Sequence, residues 1–165
     1  MKKGFTMIEL IFVIVILGIL ASVAIPRLAA TREDAEISAA VANLRTLVSD
    51  ATAYYTAKGD FTGVNWNQIT NVPLTSATST VTTETKLKAG GQDCIGVKLE
   101  NKANGKPAHI VFTKDNTNQN SGVCAQVLKS DPLKPYFESK VSYTESNQKK
   151  EVSSAIAIGS SSSVY

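Results

Sequence analysis

Histidine and cysteine are nearly missing from this chain: among 165 residues there is one His, His109, and two Cys, Cys94 and Cys124. A metal centre built from clustered Cys and His ligands therefore has nothing to draw on. His109 stands alone in a strand-like pattern and reads as a sheet-face residue. No Gly-rich phosphate loop and no nucleophile elbow occurs either. Charge is sparse as well, at 19% of residues and a net +3. Residues 60–165 carry 11 Lys/Arg against 9 Asp/Glu, a net +2, and the bases are scattered. A dedicated nucleic-acid binder would cluster them. Neither a catalytic residue, a metal site nor a cofactor is expected. The dispersed carboxylates Asp131, Glu138 and Glu145 are the ones a calcium site would use, as a minor reading. The 11 aromatics are spread along the chain and give no support to a conducting stack.

Hydrophobic residues make up 43%, too many for wholesale disorder and too few for a polytopic membrane protein. The length suits one domain plus an extra segment. That segment is the N-terminus. After Met1-Lys2-Lys3-Gly4 the chain turns apolar, and from Leu10 to Ile25 (LIFVIVILGILASVAI) it carries no charge. Counted from Phe5 to Pro26 it would span roughly 33 Å as a helix, enough to cross a bilayer core. Lys2 and Lys3 favour keeping that end in the cytoplasm. Three readings compete: a secretory signal with Ser22-Val23-Ala24 as its cleavage site, a plain membrane anchor, and a prepilin-type N-terminus. Glu9 discriminates. A carboxylate inserted at depth costs on the order of 2–3 kcal/mol, and neither a signal nor an anchor has a use for it.

Gly4-Phe5-Thr6-Met7-Ile8-Glu9, followed by LIFVIVILGILASVAIPRL, closely resembles the type IV pilin and type II secretion pseudopilin family. The resemblance is strong over residues 1–35 and looser beyond. It implies cleavage between Gly4 and Phe5 by a prepilin peptidase, N-methylation of the new Phe5 terminus, and Glu9 as fifth residue of the mature chain. It also implies a subunit assembly role for Glu9 and Phe5, the carboxylate of one copy pairing with the Phe5 amine of its neighbour. Gly18 and Pro26 fall where the family commonly loosens the helix, and proline by itself removes an intrahelical hydrogen bond and kinks a rod.

The helical pattern continues past Pro26. Ile37, Val41, Leu44, Val48, Ala51 and Tyr55 recur at 4-3-4-3-4 spacing, widened by Ala40, Leu47 and Tyr54. Arg32, Glu33, Glu36, Asn43, Arg45 and Asp50 lie opposite. Lys58-Gly59 reads as the stop. This stripe predicts packing on the chain's own sheet rather than a coiled-coil dimer, because its apolar residues are small. Residues 60–85 read as a surface connection with little regular structure, its start tucked in by Trp66 and Ile69. Strands are expected over 93–100 and 108–113, joined by a loop longer than two residues. Residues 115–122 read as a polar loop. Val123–Leu128 is ambiguous between strand and helix, and a weaker hairpin is expected from 140–145 and 151–158. Ser160–Ser163 read as a frayed tail.

The expected fold class is α+β, pilin-like: a long N-terminal α-helix, membrane-spanning in its first half, packed on a small antiparallel β-sheet. The expected organisation is a leader peptide 1–4, a hydrophobic transmembrane and assembly helix 5–30, an amphipathic continuation 31–59, and a C-terminal globular β-rich domain 60–165. Cys94 and Cys124 would be free thiols in a cytosol; export puts them in an oxidising space, where they read as one disulfide. Closing a 30-residue loop would add about 3–4 kcal/mol. The implied variable surfaces are the loop after the helix and a disulfide-bounded region, although Cys124 lies 41 residues from the end of the sequence, so the bridged loop need not be the terminal one.

By this resemblance the implied partners are other copies of the chain, the prepilin peptidase, an inner-membrane assembly platform, and membrane lipid before assembly. The implied location is the bacterial inner membrane as a single-pass precursor, N-terminus cytoplasmic and C-terminal domain periplasmic, then a periplasmic or cell-surface filament. Pilus subunit leads (adhesion, twitching motility or DNA uptake), a secretion or competence pseudopilin is second, and a secreted binding protein third.

Overall fold

The computed structural model describes residues 4–118 and 122–159. The expected tail at Ser160–Ser163 and leader residues Met1–Lys3 lie outside the described residues. The chain forms two compact units, Met1–Ala35 and Glu36–Tyr165. One helix, α1 (Met7–Lys58), contributes to both.

In the first unit α1 is helical straight through Gly18 and Pro26. Its few hydroxyls bond to their own helix: Ser22 Oγ–H donates to the Ile19 carbonyl at 2.7 Å and Thr31 to Leu28 at 3.0 Å. No polar side chain in the apolar run is thus left seeking a partner, which an apolar surrounding would penalise.

The second unit begins where α1 becomes striped. Ala40, Val41, Leu44, Leu47 and Ala51 are buried, with Ile37, Val48, Tyr54 and Tyr55 packed against the same core. All nine stripe residues point inward, so the face that a coiled coil would need is used by the chain itself. Gly59, at φ +76, ends α1 in the left-handed conformation that glycine adopts without a Cβ clash, its N–H reaching the Tyr55 carbonyl at 2.7 Å. Phe61 folds back against Tyr55, ring centroids 5.0 Å apart.

The stripe meets a four-stranded antiparallel sheet in the order β1-β2-β3-β6, made of β1 (Thr85–Ala89), β2 (Gln92–Glu100), β3 (His109–Lys114) and β6 (Ala155–Ala157). Leu87, Ile95, Val97, Leu99, Ile110 and Phe112 bury the inner face. Opposite neighbours Val97↔Phe112 and Leu99↔Ile110 fix the register, since a slip by one residue would turn this face to solvent. Gly96 faces away from them, where a Cβ would collide with the Thr113 hydroxyl.

Several expectations are corrected. Residues 60–85 hold little regular structure, as expected, and Trp66 and Ile69 tuck their start against the core, but Phe61, Val64, Val72 and Val81 are buried too, so the connection is packed rather than a surface one, and Trp66–Ile69 form a helical turn, α2. A polar composition concealed single apolar anchors spaced too irregularly to show a period. Strand β1 follows that stretch, where no strand is expected from the sequence; it joins β2 through Gly90-Gly91, both at positive φ, the conformation of a tight hairpin turn. The connection between β2 and β3, residues 101–108, is longer than two residues as expected and contains its own two-residue turn, Asn104-Gly105, with Ala103 and Lys106 exchanging backbone hydrogen bonds. The ambiguous stretch is helix α3 (Gly122–Lys129), and Pro132 and Pro135 start two short turns, a 3-10 turn Asp131–Leu133 and α4 (Lys134–Glu138). The second hairpin is β4 (Lys140–Glu145) with β5 (Gln148–Ser153), an isolated ribbon; Ala155–Ala157 leaves it to pair with β3.

Candidate functional site

At the N-terminus Gly4, Phe5 and Thr6 precede the first helical turn, exposed and without regular structure. The turn that follows is closed by a reciprocal cap. Glu9 Oε2 accepts the Thr6 backbone N–H at 2.8 Å and the Thr6 hydroxyl at 2.7 Å. The Glu9 N–H in turn reaches Thr6 Oγ1 at 3.4 Å. This is the Thr-x-x-Glu capping box, and it satisfies N-terminal donors that the helix leaves open. The signature is present in the sequence as Thr6-Met7-Ile8-Glu9.

Beyond this cap, from Leu10 to Ile25, the helix offers no charged side chain and Ser22 as its one clearly polar member. Exposure runs from 88% at Phe5 to 40% at Ile16, and Leu28 is 67% exposed. An 18-residue window within α1 has mean hydropathy 2.9, and none of it is buried. Roughly 25 cal/mol per Å² favours covering such a surface, and an exposed apolar area of this extent marks a membrane or protein contact. Gly18 has open space around it and Pro26 interrupts only the hydrogen-bond ladder.

The second unit holds the other singled-out residues. Cys94 on β2 and Cys124 on α3 are joined in a disulfide, Cα atoms 5.2 Å apart, within the ordinary range for a bridge. His109 lies on strand β3, as its pattern predicts, and is fully buried there. Its Nδ1–H donates to the Pro107 carbonyl at 2.9 Å, while Nε2 makes no hydrogen bond and lies 3.4 Å from Glu100 Oε2. Burial holds the imidazole below its ordinary value. Lys106 and Lys98 hydrogen-bond the Glu100 carboxylate and lower it to about 2. Asp115, also buried, pairs with Lys86 and accepts the N–H groups of Thr117 and Asn118 at 2.7 and 3.2 Å, anchoring the polar loop that it opens.

Two carboxylates placed on the solvent side of the helix by sequence have specific tasks instead. Glu36 accepts the Gly90 N–H of the β1–β2 turn at 3.0 Å, and Asp50 accepts the Thr70 hydroxyl at 2.6 Å. Asp131, Glu138 and Glu145 do not converge. Asp131 pairs with Lys134 and Glu145 with Lys150, each at 2.5 Å, and among the described residues no three acidic, His or Cys side chains form a metal-ligating group.

Residues 1–25 match the family model described as the prokaryotic N-terminal methylation motif. The chain is also 42% identical, over 65 residues, to a fimbrial protein of Neisseria meningitidis serogroup B; the match covers 39% of this chain and 38% of that protein. It is 42% identical over 53 residues to the type II secretion system core protein G of Dickeya chrysanthemi, covering 32% of this chain and 35% of that one. The chain thus aligns with little more than a third of the length of either relative. No solved structure matches it significantly. The resemblance of the N-terminal segment to the type IV pilin and pseudopilin family is shown by these matches, and with it the expected α+β, pilin-like architecture of helix on antiparallel sheet.

Proposed function

We propose that the chain is a structural subunit of a type IV pilus-like filament, cut by a prepilin peptidase between Gly4 and Phe5 and assembled through its N-terminal helix. One observation carries the reading: the residues that match the N-terminal methylation motif form an exposed apolar helical run whose single carboxylate is Glu9. Lipid covers that helix in the precursor, and copies of the same helix cover it in the filament. Both surroundings are apolar, so the exchange is near balance and the charged groups decide register. Removing residues 1–4 frees an amine on Phe5, which is then N-methylated. In low dielectric an unpaired amine and an unpaired carboxylate are both costly. Glu9 of one copy pairs with the Phe5 amine of the next and sets their axial offset.

In this reading the chain catalyses nothing; its partners are its own copies, the peptidase, the inner-membrane assembly platform, and lipid. The precursor spans the inner membrane once, with Lys2 and Lys3 cytoplasmic and the second unit periplasmic. Mass spectrometry of the mature protein tests the class: a chain starting at N-methylated Phe5 is expected, and one starting near Ile25 would sink the proposal in favour of an exported binding protein.

A secretion or competence pseudopilin is the second reading, favoured by the likeness to the secretion-system protein. The disulfide tilts the choice toward a pilus subunit, since by the family resemblance major pseudopilins more often do without one. Long fibres in sheared cell fractions are expected for a pilus, and their absence from secreting cells would favour the pseudopilus.

A further inference from the structure

Both hydrogen bonds that Glu9 accepts from Thr6 fall on the same oxygen, Oε2. Among the described residues no hydrogen bond reaches Oε1. We propose that Thr6 is a positioning residue for assembly: it occupies Oε2, folds the Glu9 side chain back over the first helical turn, and leaves Oε1 free for the Phe5 amine of a second copy. The inference rests on the assembly reading above and adds how the carboxylate is held before and during docking.

A carboxylate in apolar surroundings is far less costly with charge-assisted donors than bare, so the cap offsets part of the cost of holding the Glu9 carboxylate there before a partner amine arrives. A glutamate also has several rotatable bonds, and the cap orders them before the partner arrives instead of during docking, the general advantage of preorganisation. The direction matters too. In a helix the Cα–Cβ bonds tilt toward the N-terminus, and the bonds to Thr6 hold the carboxylate at that end, one residue from Phe5. Thr6 is therefore a helper of the incoming amine and not its competitor. The hydroxyl also receives the Glu9 N–H, so removing it opens both sides of the cap.

The test uses the full chain in cells that process and assemble it, with Thr6→Val (the same shape without a hydroxyl) and Thr6→Ser (the hydroxyl retained). The fraction of chains starting at Phe5, the membrane-held amount and the sheared filament yield are measured together. Thr6→Val is expected to be processed and inserted normally while filament yield per processed chain falls roughly fivefold, near the value of one helix cap. Thr6→Ser is expected to stay within about twofold of the parent, by the same cap ranking. Yield unchanged or raised in Thr6→Val overturns the proposal, the latter because Thr6 would then be competing with the amine. So does a Thr6→Ser defect as deep as that of Thr6→Val, which would make β-branched shape the cause. If Thr6→Val impairs processing, amide exchange in the full-length chain in detergent micelles decides: faster exchange at Glu9, with Thr6→Ser resembling the parent, supports the cap, and unchanged exchange overturns it. Normal filaments from Glu9→Ala would remove the assembly reading itself, so the two failures are told apart.

Discussion

The two halves of α1 obey opposite rules. Between Met7 and Leu28 nearly every side chain is apolar and exposed, and no stripe distinguishes one face from another. Between Ile37 and Tyr55 nine apolar residues share one face and all are wholly or partly buried. Both halves are helical, and the difference lies in what covers the surface. The second half finds its cover within the same chain, on the inner face of β1, β2 and β3. The first half has none there and needs a medium or other copies. One half therefore reports on stability, the other on assembly, and substitutions should separate the two.

The sharpest separation is Glu9→Ala. It is expected to abolish filaments while the thermal unfolding of the second unit, followed by near-ultraviolet circular dichroism in detergent micelles, stays where it was. A fall in the unfolding temperature would break the division. The converse is Leu44→Ala, a fully buried position. It should cost about 3–5 kcal/mol of stability, the range for leaving a cavity in a core, whereas Val13→Ala on the exposed half should change denaturant unfolding by less than about 0.5 kcal/mol. Opening the Cys94–Cys124 bridge with Cys124→Ser should remove about 3–4 kcal/mol through the freer unfolded chain, again visible only in the second unit.

The smallest effect is acid lability. Burial lowers the affinity of His109 for a proton, so the unfolded chain takes the proton first, and stability falls as pH drops below the ordinary imidazole value of 6.5. Glu100 acts lower. Its ordinary value of 4.5 is lowered to about 2 in the folded chain, so the stability it contributes above 4.5 is lost as pH falls toward 2. His109→Asn, whose amide can still donate to the Pro107 carbonyl, should remove the first limb and leave the second. A melting profile between pH 7 and 5 that is identical in parent and variant would contradict this.

Much of α1 was legible in advance because a long helix repeats its environment: the stripe, the glycine stop and the uncovered apolar run each recur over several turns. A single-turn signal is harder to weigh: Thr6-x-x-Glu9 is a capping signature only four residues long, set beside a carboxylate whose charge dominates an apolar run. Strand β1 was illegible for a physical reason. Thr85-Lys86-Leu87-Lys88-Ala89 alternates correctly but has few large apolar residues, and its place is secured by Gly90-Gly91 and by pairing with β2. The Val123–Leu128 run was too short for a period to separate strand from helix, and the disulfide to β2 together with the buried face of Cys124, Val127 and Leu128 selects the helix.

By itself the sequence determined that an uncovered apolar helix with one carboxylate opens this protein and that a striped helix follows, because such properties depend only on residue type and spacing. Tertiary structure decided which partners the polar groups take. His109 became buried beside Glu100, Glu36 tied down a hairpin turn, and Asp115 anchored a loop through Lys86, each through residues distant in sequence that only the folded sheet brings together.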